Sequence, residues 1–380
     1  MIVIGNQIAL QFNIGNISDF ISIECFHGMR IAENAGGLRP IINLDFQVTH
    51  EEVIPYLNSG NIITIMYGIN TPTSEVMQFE ILGDGKTKDY HVGSTVSILG
   101  AMYKRTFTSQ VKSTCYTNKR SFEALANIAN DNGLKFVTNV SKSNDRQTWY
   151  QSGITDWNMS TYIASRAYKD NGTFFNYAFD NNNYYFYDIR EQLKAGPKWI
   201  LAVGSTGTEH PQSNIVNIGT YMCDDSAAGT NADFAGKNLT NVNYNVDTGE
   251  FSNPQYALKT FTTMGTTKIN VNATDCANYD YHITSEDEHA FSVAAQNQNF
   301  RNQMLFSSYC CHVPVAGQYR EFKLLDCVQL VPQEPDAEAA GIYFITSIAK
   351  EYKEQQYSIM LTLHRESANG IRGEALQGGM

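Results

Sequence analysis

Long apolar runs are missing from this chain. Nowhere does it approach the ~20 consecutive apolar residues that cross a bilayer, so no membrane insertion is expected. The start, Met1-Ile2-Val3-Ile4-Gly5-Asn6, has no basic residues and no extended apolar core, unlike a secretory signal. An excess of cations is missing too: 27 Lys and Arg stand against 38 Asp and Glu, a formal net charge of -11. Proteins that hold nucleic acid gather cations that displace phosphate counterions, so this acidic chain is expected to bind double-stranded DNA negligibly. Paired cysteine spacings are absent as well. Cys25, Cys115, Cys223, Cys276, Cys310, Cys311 and Cys327 form an odd set of seven without a CxxC. That pattern predicts seven reduced thiols packed as small hydrophobes.

Catalytic signatures are equally scarce. No GxSxG elbow occurs, and His27, His50, His91, His210, His282, His289, His312 and His364 have no recognisable motif around them. Cys310-Cys311-His312 is the densest group of soft ligands, but adjacent strand residues point to opposite faces and no second ligand pair follows at zinc spacing. Glu286, Asp287 and Glu288 read as first-turn acids, with Glu288 completing a capping box with Ser285. Gly83-Asp84-Gly85-Lys86 lacks the P-loop spacing and reads as a hairpin turn. Asp180 to Asn183 and Asp224-Asp225 lack the ligand alternation of a calcium loop and read as solvated turns. In Tyr184-Tyr185-Phe186-Tyr187, alternation predicts two aromatics inward and two outward. No catalytic, cofactor-binding or metal-ligating residue is expected, no cofactor is implied, and the chain does not read as an enzyme.

What is abundant is strand chemistry. The chain has 22 Tyr and 20 Phe, only 17% charged residues, and Asn, Gly, Ser and Thr between its β-branched runs. Its 380 residues exceed the roughly 250 to 300 at which one core stops growing, so two or three domains are expected. Short strands are predicted at Ile8 to Phe12, Ile17 to Phe26, Ile41 to Thr49, Ile62 to Tyr67, Val76 to Leu82 and Thr95 to Thr108. The pattern then changes. A helix from Ser121 places Phe122, Leu125, Ala126, Ile128 and Ala129 on one face and stops at Gly133. A second helix starts at Thr155 or Asp156 and ends near Gly172, followed by a hairpin of Phe174 to Phe179 and Tyr184 to Ile189. Strands return at Trp199 to Val203, Ile215 to Met222 and Asn238 to Tyr244, while Val246 to Ser285 is weakly patterned.

The last third carries the most information. A helix from Ser285 to about Ser308 leads into Cys311-His312-Val313-Pro314-Val315-Ala316-Gly317 and then Leu324-Leu325-Asp326-Cys327-Val328-Gln329-Leu330. Two alternating runs follow, Gly341 to Ile348 and Tyr357 to Arg365. This order resembles the hub proteins of phage tail baseplates, a contractile-tail family related to the hub part of VgrG spike proteins. Ser121 to Ala129 with Asn132 to Phe136, Tyr150 to Ser160, and Tyr168 to Tyr187 are similar to further elements of those hubs, so the resemblance extends over most of residues 1 to 365.

The resemblance implies a mainly β fold with an α+β insert: two antiparallel β-barrel-like tube domains plus an inserted mixed domain, assembled as a hub-type trimer. The expected boundaries are a first tube domain at 1–112, an inserted α+β domain at 113–198, and a second, discontinuous tube domain at 199–245 and 312–365. A further insert with a long capped helix spans 246–311, and 366–380 is a loose tail. The implied function is that of a structural virion protein, the central hub of a tail baseplate, adapting a sixfold tube to a threefold spike around the DNA channel. The implied partners are two further copies of the chain, a tail tube protein, a central spike protein and other baseplate proteins. DNA passes without specific binding, and assembly takes place in the host cytoplasm. The alternatives are the hub of a tailocin or type VI apparatus, a β-rich cell-wall hydrolase, and a glycan-binding adhesin module.

Overall fold

The structure, a computed structural model, describes residues 2–4, 8–48, 51–69, 75–89, 93–170, 174–204, 214–224, 239–252, 278–284, 289, 291–316, 321–334, 338–353 and 356–366. Period-two alternation builds its first third. The strands are β1 (Ile2–Ile4), β2 (Ile8–Ile14), β3 (Ile17–Ser18), β4 (Phe26–Asn34), β5 (Ile41–Gln47), β6 (Ile62–Ile69), β7 (Glu75–Asp89) and β8 (Gly93–Met102). They lie in the order β1-β2-β6-β7-β8-β5-β4, antiparallel throughout, with β3 folded back on β2. In β5, Ile42, Leu44 and Phe46 face the core while Asn43 and Asp45 face solvent. Two expectations are corrected here. Gly83-Asp84-Gly85 is no turn: it lies inside β7, where the ladder to β8 slips between Ile81 and Gly83, leaving Leu82 as a bulge. Glycine within a strand marks such an irregularity as readily as a turn. The strand expected to run to Thr108 ends at Met102, and a single π-helical turn at Arg105–Ser109 buries Phe107.

The insert follows: β9 (Val111–Lys119), α1 (Ser121–Asp131), β10 (Lys135–Thr138), β11 (Gln147–Thr155), α2 (Asp156–Ser165), β12 (Phe175–Phe179), β13 (Asn183–Asp188) and α3 (Ile189–Ala195). Ala124, Leu125, Ile128 and Ala129 form the buried stripe of α1, and Gly133 at φ +63° ends it. The cap is Arg120 rather than Ser121, because Glu123 accepts the Arg120 backbone N–H at 2.8 Å and Asp145 accepts that of Ser121 at 3.1 Å. Helix α2 is capped by Thr155, whose Oγ1 accepts the Asn158 N–H at 3.2 Å. It ends at Ser165, well before Gly172. The buried Asp145 carboxylate captures the Tyr168 N–H at 2.9 Å and draws the chain off the helical path.

β12 and β13 pair antiparallel, with β10 parallel to β13 on the far side. The expected outward aromatics of this hairpin are not outward: Tyr184, Tyr185, Phe186 and Tyr187 are all buried, the most accessible at 8%. Phe175, Phe179, Tyr184 and Phe186 pack with Leu125, Ile128, Trp149, Met159 and Ile163 of the insert. Ala178, Tyr185 and Tyr187 pack on the other side with Phe306, Tyr343 and Phe344.

The remaining elements are β14 (Trp199–Val203), β15 (Ile215–Ile218), β16 (Met222–Asp224), β17 (Leu239–Asn245), β18 (Glu250–Ser252), β19 (Asn278–Thr284), α4 (Ser292–Phe306), β20 (Tyr309–Ala316), β21 (Cys327–Val331), β22 (Gly341–Lys353) and β23 (Gln356–Arg365). β22 is the hinge of the topology. One edge pairs with β21 and then with β4, and the other pairs with β23, which continues to β20 and β16. The strands of both strand-rich regions therefore belong to one 15-stranded sheet. β14 runs parallel to both β21 and β15, a detail alternation cannot reveal. β17 leaves this sheet and forms a small one with β18 and β19. The architecture is mainly β with an α+β insert, and no closed barrel forms among the described residues. The capping box at Ser285 to Glu288 and the tail from 367 onward lie outside the described residues; the described helix begins at Ser292 behind Phe291.

The expectation of seven reduced cysteines is overturned. Cys223 and Cys311 form a disulfide between directly opposed positions of β16 and β20, their Cα atoms 4.1 Å apart. They are 88 positions apart in sequence, so spacing along the chain could not show a pairing made by strand register. Cys25, Cys115, Cys310 and Cys327 are free thiols, and Cys276 lies outside the described residues. Peptide mapping without reductant is expected to recover the cross-link. Replacing both cysteines with Ser is expected to cost roughly 4 kcal/mol through lost loop closure, seen as a lower denaturation midpoint. Two free thiols at these positions in aerobically purified protein would overturn the assignment.

Candidate functional site: a buried charged junction

Among the described residues, no three His, Cys, Asp or Glu side chains are grouped to hold a metal ion. Cys310 and Cys311 do point to opposite faces of β20. Cys311 enters the core, while Cys310 lies beside His312, Sγ to Nε2 3.5 Å, across the ladder from His364. Burial pushes the Cys310 thiol up to about 11 and, helped by His312, the His364 imidazole down to about 4. A thiol that keeps its proton is a poor nucleophile at neutral pH. Asp180 serves its own turn: Oδ1 accepts the N–H groups of Asn182 and Asn183 at 2.8 and 2.7 Å, and Oδ2 accepts the Tyr185 hydroxyl at 2.6 Å. Asp224 is exposed on β16, whereas Asp225, Glu286, Asp287 and Glu288 lie outside the described residues.

One largely enclosed ion pair is passed over by motif reading. On the β4–β22 ladder, Ile348 stands opposite Glu33 and Lys350 opposite Ile31. Ile348 belongs to the core containing Phe344 and Leu361, and Ile31 and Tyr352 to the core containing Phe46 and Phe79. Between the two cores, Lys350 Nζ meets Glu33 Oε1 at 3.2 Å. The ammonium also lies 5.8 Å from the centroid of the Tyr67 ring, whose hydroxyl donates to Glu75 at 2.6 Å. The insert docks at the same place. Gly36 N donates to Tyr177 O at 2.8 Å, Ala35 bridges to Ala178, and Asn181 Nδ2 donates to Val76 O at 2.8 Å.

Burial raises the Glu33 carboxyl, with Lys350 offsetting part of the effect. Burial works to lower Lys350, but Glu33, Tyr67, Tyr352 and Glu75 outweigh it and hold the amine protonated well above its ordinary 10.5. The arrangement offers no open acid or base to a substrate. It fixes the register of the strand that unites the two halves. A signal was present: in Ile348-x-Lys350-x-Tyr352, alternation places a lysine on the same inward face as its apolar neighbours.

Two outcomes are expected. Lys350→Ala, which strands Glu33, should cost about 3–5 kcal/mol in urea unfolding, and combining Lys350→Met with Glu33→Leu should recover most of that loss. The folded state also retains a proton on Lys350 that the unfolded chain releases above 10.5, so wild-type stability should fall as pH rises past that value. Lys350→Met should flatten this alkaline limb in melting curves; an unchanged slope would refute the linkage.

No protein-family model matches the sequence, and no curated protein sequence is significantly similar to it. Solved structures are similar in fold. A tail protein from Neisseria meningitidis aligns with TM-score 0.55 and 11% identity, covering 94% of this chain and 97% of its own. The 43 kDa tail protein of prophage MuSo2 from Shewanella oneidensis aligns with TM-score 0.52 and 10% identity, again covering 94% and 97%. At such identities the likeness establishes fold: this chain has, over nearly its whole length, the fold of these two tail proteins.

Proposed function

We propose that this chain is a structural protein of a phage tail and, within it, the central hub of the baseplate. The observation that supports this most is the extent of the fold likeness, which takes in 94% of this chain and 97% of each tail protein rather than one shared module. In this reading residues 1–112 form one tube domain and 199–245 with 312–365 a second, and both contribute to a ring made by three copies. Two strand-rich units per chain present six similar surfaces to a sixfold tube, while the trimer keeps true threefold symmetry towards a spike. The joined sheet supports this geometry, because the β4–β22 ladder holds the two units at one fixed angle.

The role is one of assembly rather than catalysis. Partners are two further copies, a tail tube protein, a spike protein and other baseplate components, and the assembled virion tail is its location. DNA passes through the ring without being held, consistent with 38 acidic against 27 basic residues. Light scattering and electron microscopy of the protein, alone and with its spike partner, are expected to show a threefold ring, and gel shift to show negligible binding of duplex DNA. A protein that stays monomeric or forms only even-numbered oligomers with the spike present, or that binds DNA tightly and salt-sensitively, would overturn the reading.

A further inference from the structure

β9 and β11 form a two-stranded ribbon that joins no other sheet among the described residues. Its underside is settled: Tyr116 and Trp149, directly opposed, are buried in the insert core. The rest of β9 is open, with seven of its nine residues exposed. β11 satisfies one edge of the strand, and no described element pairs with the other. Alternate N–H and C=O groups along the outer edge therefore have no backbone partner among the described residues. Proteins usually guard such an edge with proline, a bulge or charge. β9 contains no proline, and the irregularities of the ladder fall near its two ends. Its guards are Lys112, which is bound to Asp156, and Lys119; the intervening Ser113-Thr114-Cys115-Tyr116-Thr117-Asn118 is uncharged, Thr114, Tyr116 and Thr117 favour a strand, and Asn118 at φ +52° ends the extended run.

The sequence leading through β9 departs in charge from the rest of the chain. From Tyr90 to Phe122 there is no Asp or Glu, while Lys104, Arg105, Lys112, Lys119 and Arg120 all fall there. Arg146, exposed at the approach to β11, donates to the Asn118 carbonyl at 3.0 Å, which brings another cation to the end of β9. A basic edge on a chain of net charge -11 is selective. Its cations repel a second copy of the same edge and attract carboxylates.

We propose that the outer edge of β9 docks an extended, acidic segment of a partner protein, which adds to the ribbon as a third strand. The partner backbone satisfies the open N–H and C=O groups, and its carboxylates meet Lys119, Arg120 and Arg146. Duplex DNA fits less well, because phosphates would use the cations while leaving the strand edge unpaired. The inference rests on the ribbon alone and stands apart from the hub reading.

The test uses the full-length chain and a labelled synthetic peptide of alternating Glu and Val. Its Lys-for-Glu counterpart and a short DNA duplex serve as competitors. The acidic peptide is expected to bind and to slow amide exchange across residues 113–118. Lys119→Glu, with an unchanged melting temperature, and Arg146→Glu should each weaken it by roughly tenfold or more. Thr117→Glu, which places an acid on the edge without touching the Arg146 contact, should do the same. Unchanged exchange across 113–118 at saturating peptide, equal binding of the basic peptide, or indifference to all three substitutions would overturn the proposal. Displacement by duplex DNA at lower concentration than the peptide would instead make this edge a nucleic-acid site.

Discussion

A hairpin with apolar residues on both faces cannot sit at the surface, because either face left in water would forfeit about 1.5–3 kcal/mol for each large side chain exposed. β12 and β13 are such a hairpin. Phe175, Phe179, Tyr184 and Phe186 need the helices of the insert on one side, and Ala178, Tyr185 and Tyr187 need the sheet on the other. The insert is therefore no appendage on a flexible stalk: its core and the sheet's core share this wall. Asn299 of α4 reinforces it, accepting the Phe175 N–H at 3.0 Å and donating to the carbonyls of Ser165 and Ala167 at 3.0 Å. One buried amide thus ties a helix from the last third of the chain to β12 and to the end of α2.

The sheet solves a different problem, which is to join two hydrophobic cores without merging them. Along β22 the inward residues pass from Ile348 to Lys350 to Tyr352, from one core through a charge to the other. A buried ion pair is a poor source of net stability but a good source of specificity, since a one-residue slip of β22 against β4 would strand both charges. Register at the seam sets the angle between the two halves.

The local features were legible because they are local. The apolar stripe of α1 and its Gly133 stop, the Thr155 cap, and the hairpin with Asp180 at its turn are all written within a dozen residues of themselves. What escaped depends on partners distant in sequence. Tyr185 reads as an outward residue until the sheet that covers it is known, and Asp145 gives no sign that it will end α2 by binding Tyr168. Gly83 shows the opposite error, a local turn signal overruled by continued pairing of β7 with β8. Glu33 and Lys350 lay between these cases. Each stood at an inward position of an alternating run, but only the 3.2 Å contact across the seam gives that anomaly a meaning.

Cys223 and Cys311 stand at the two mouths of an excursion that contains β17, β18, β19 and α4. A protease that nicks the chain once within residues 224–310 divides the polypeptide but not the molecule. The fragment carrying β1 to β16 and the fragment carrying β20 to β23 remain one covalent body for as long as the sulfurs stay joined. The two fragments are then held by the sulfurs and by the β4–β22 and β14–β21 ladders together, so a cut in the excursion parts the chain without parting the sheet on either side of it.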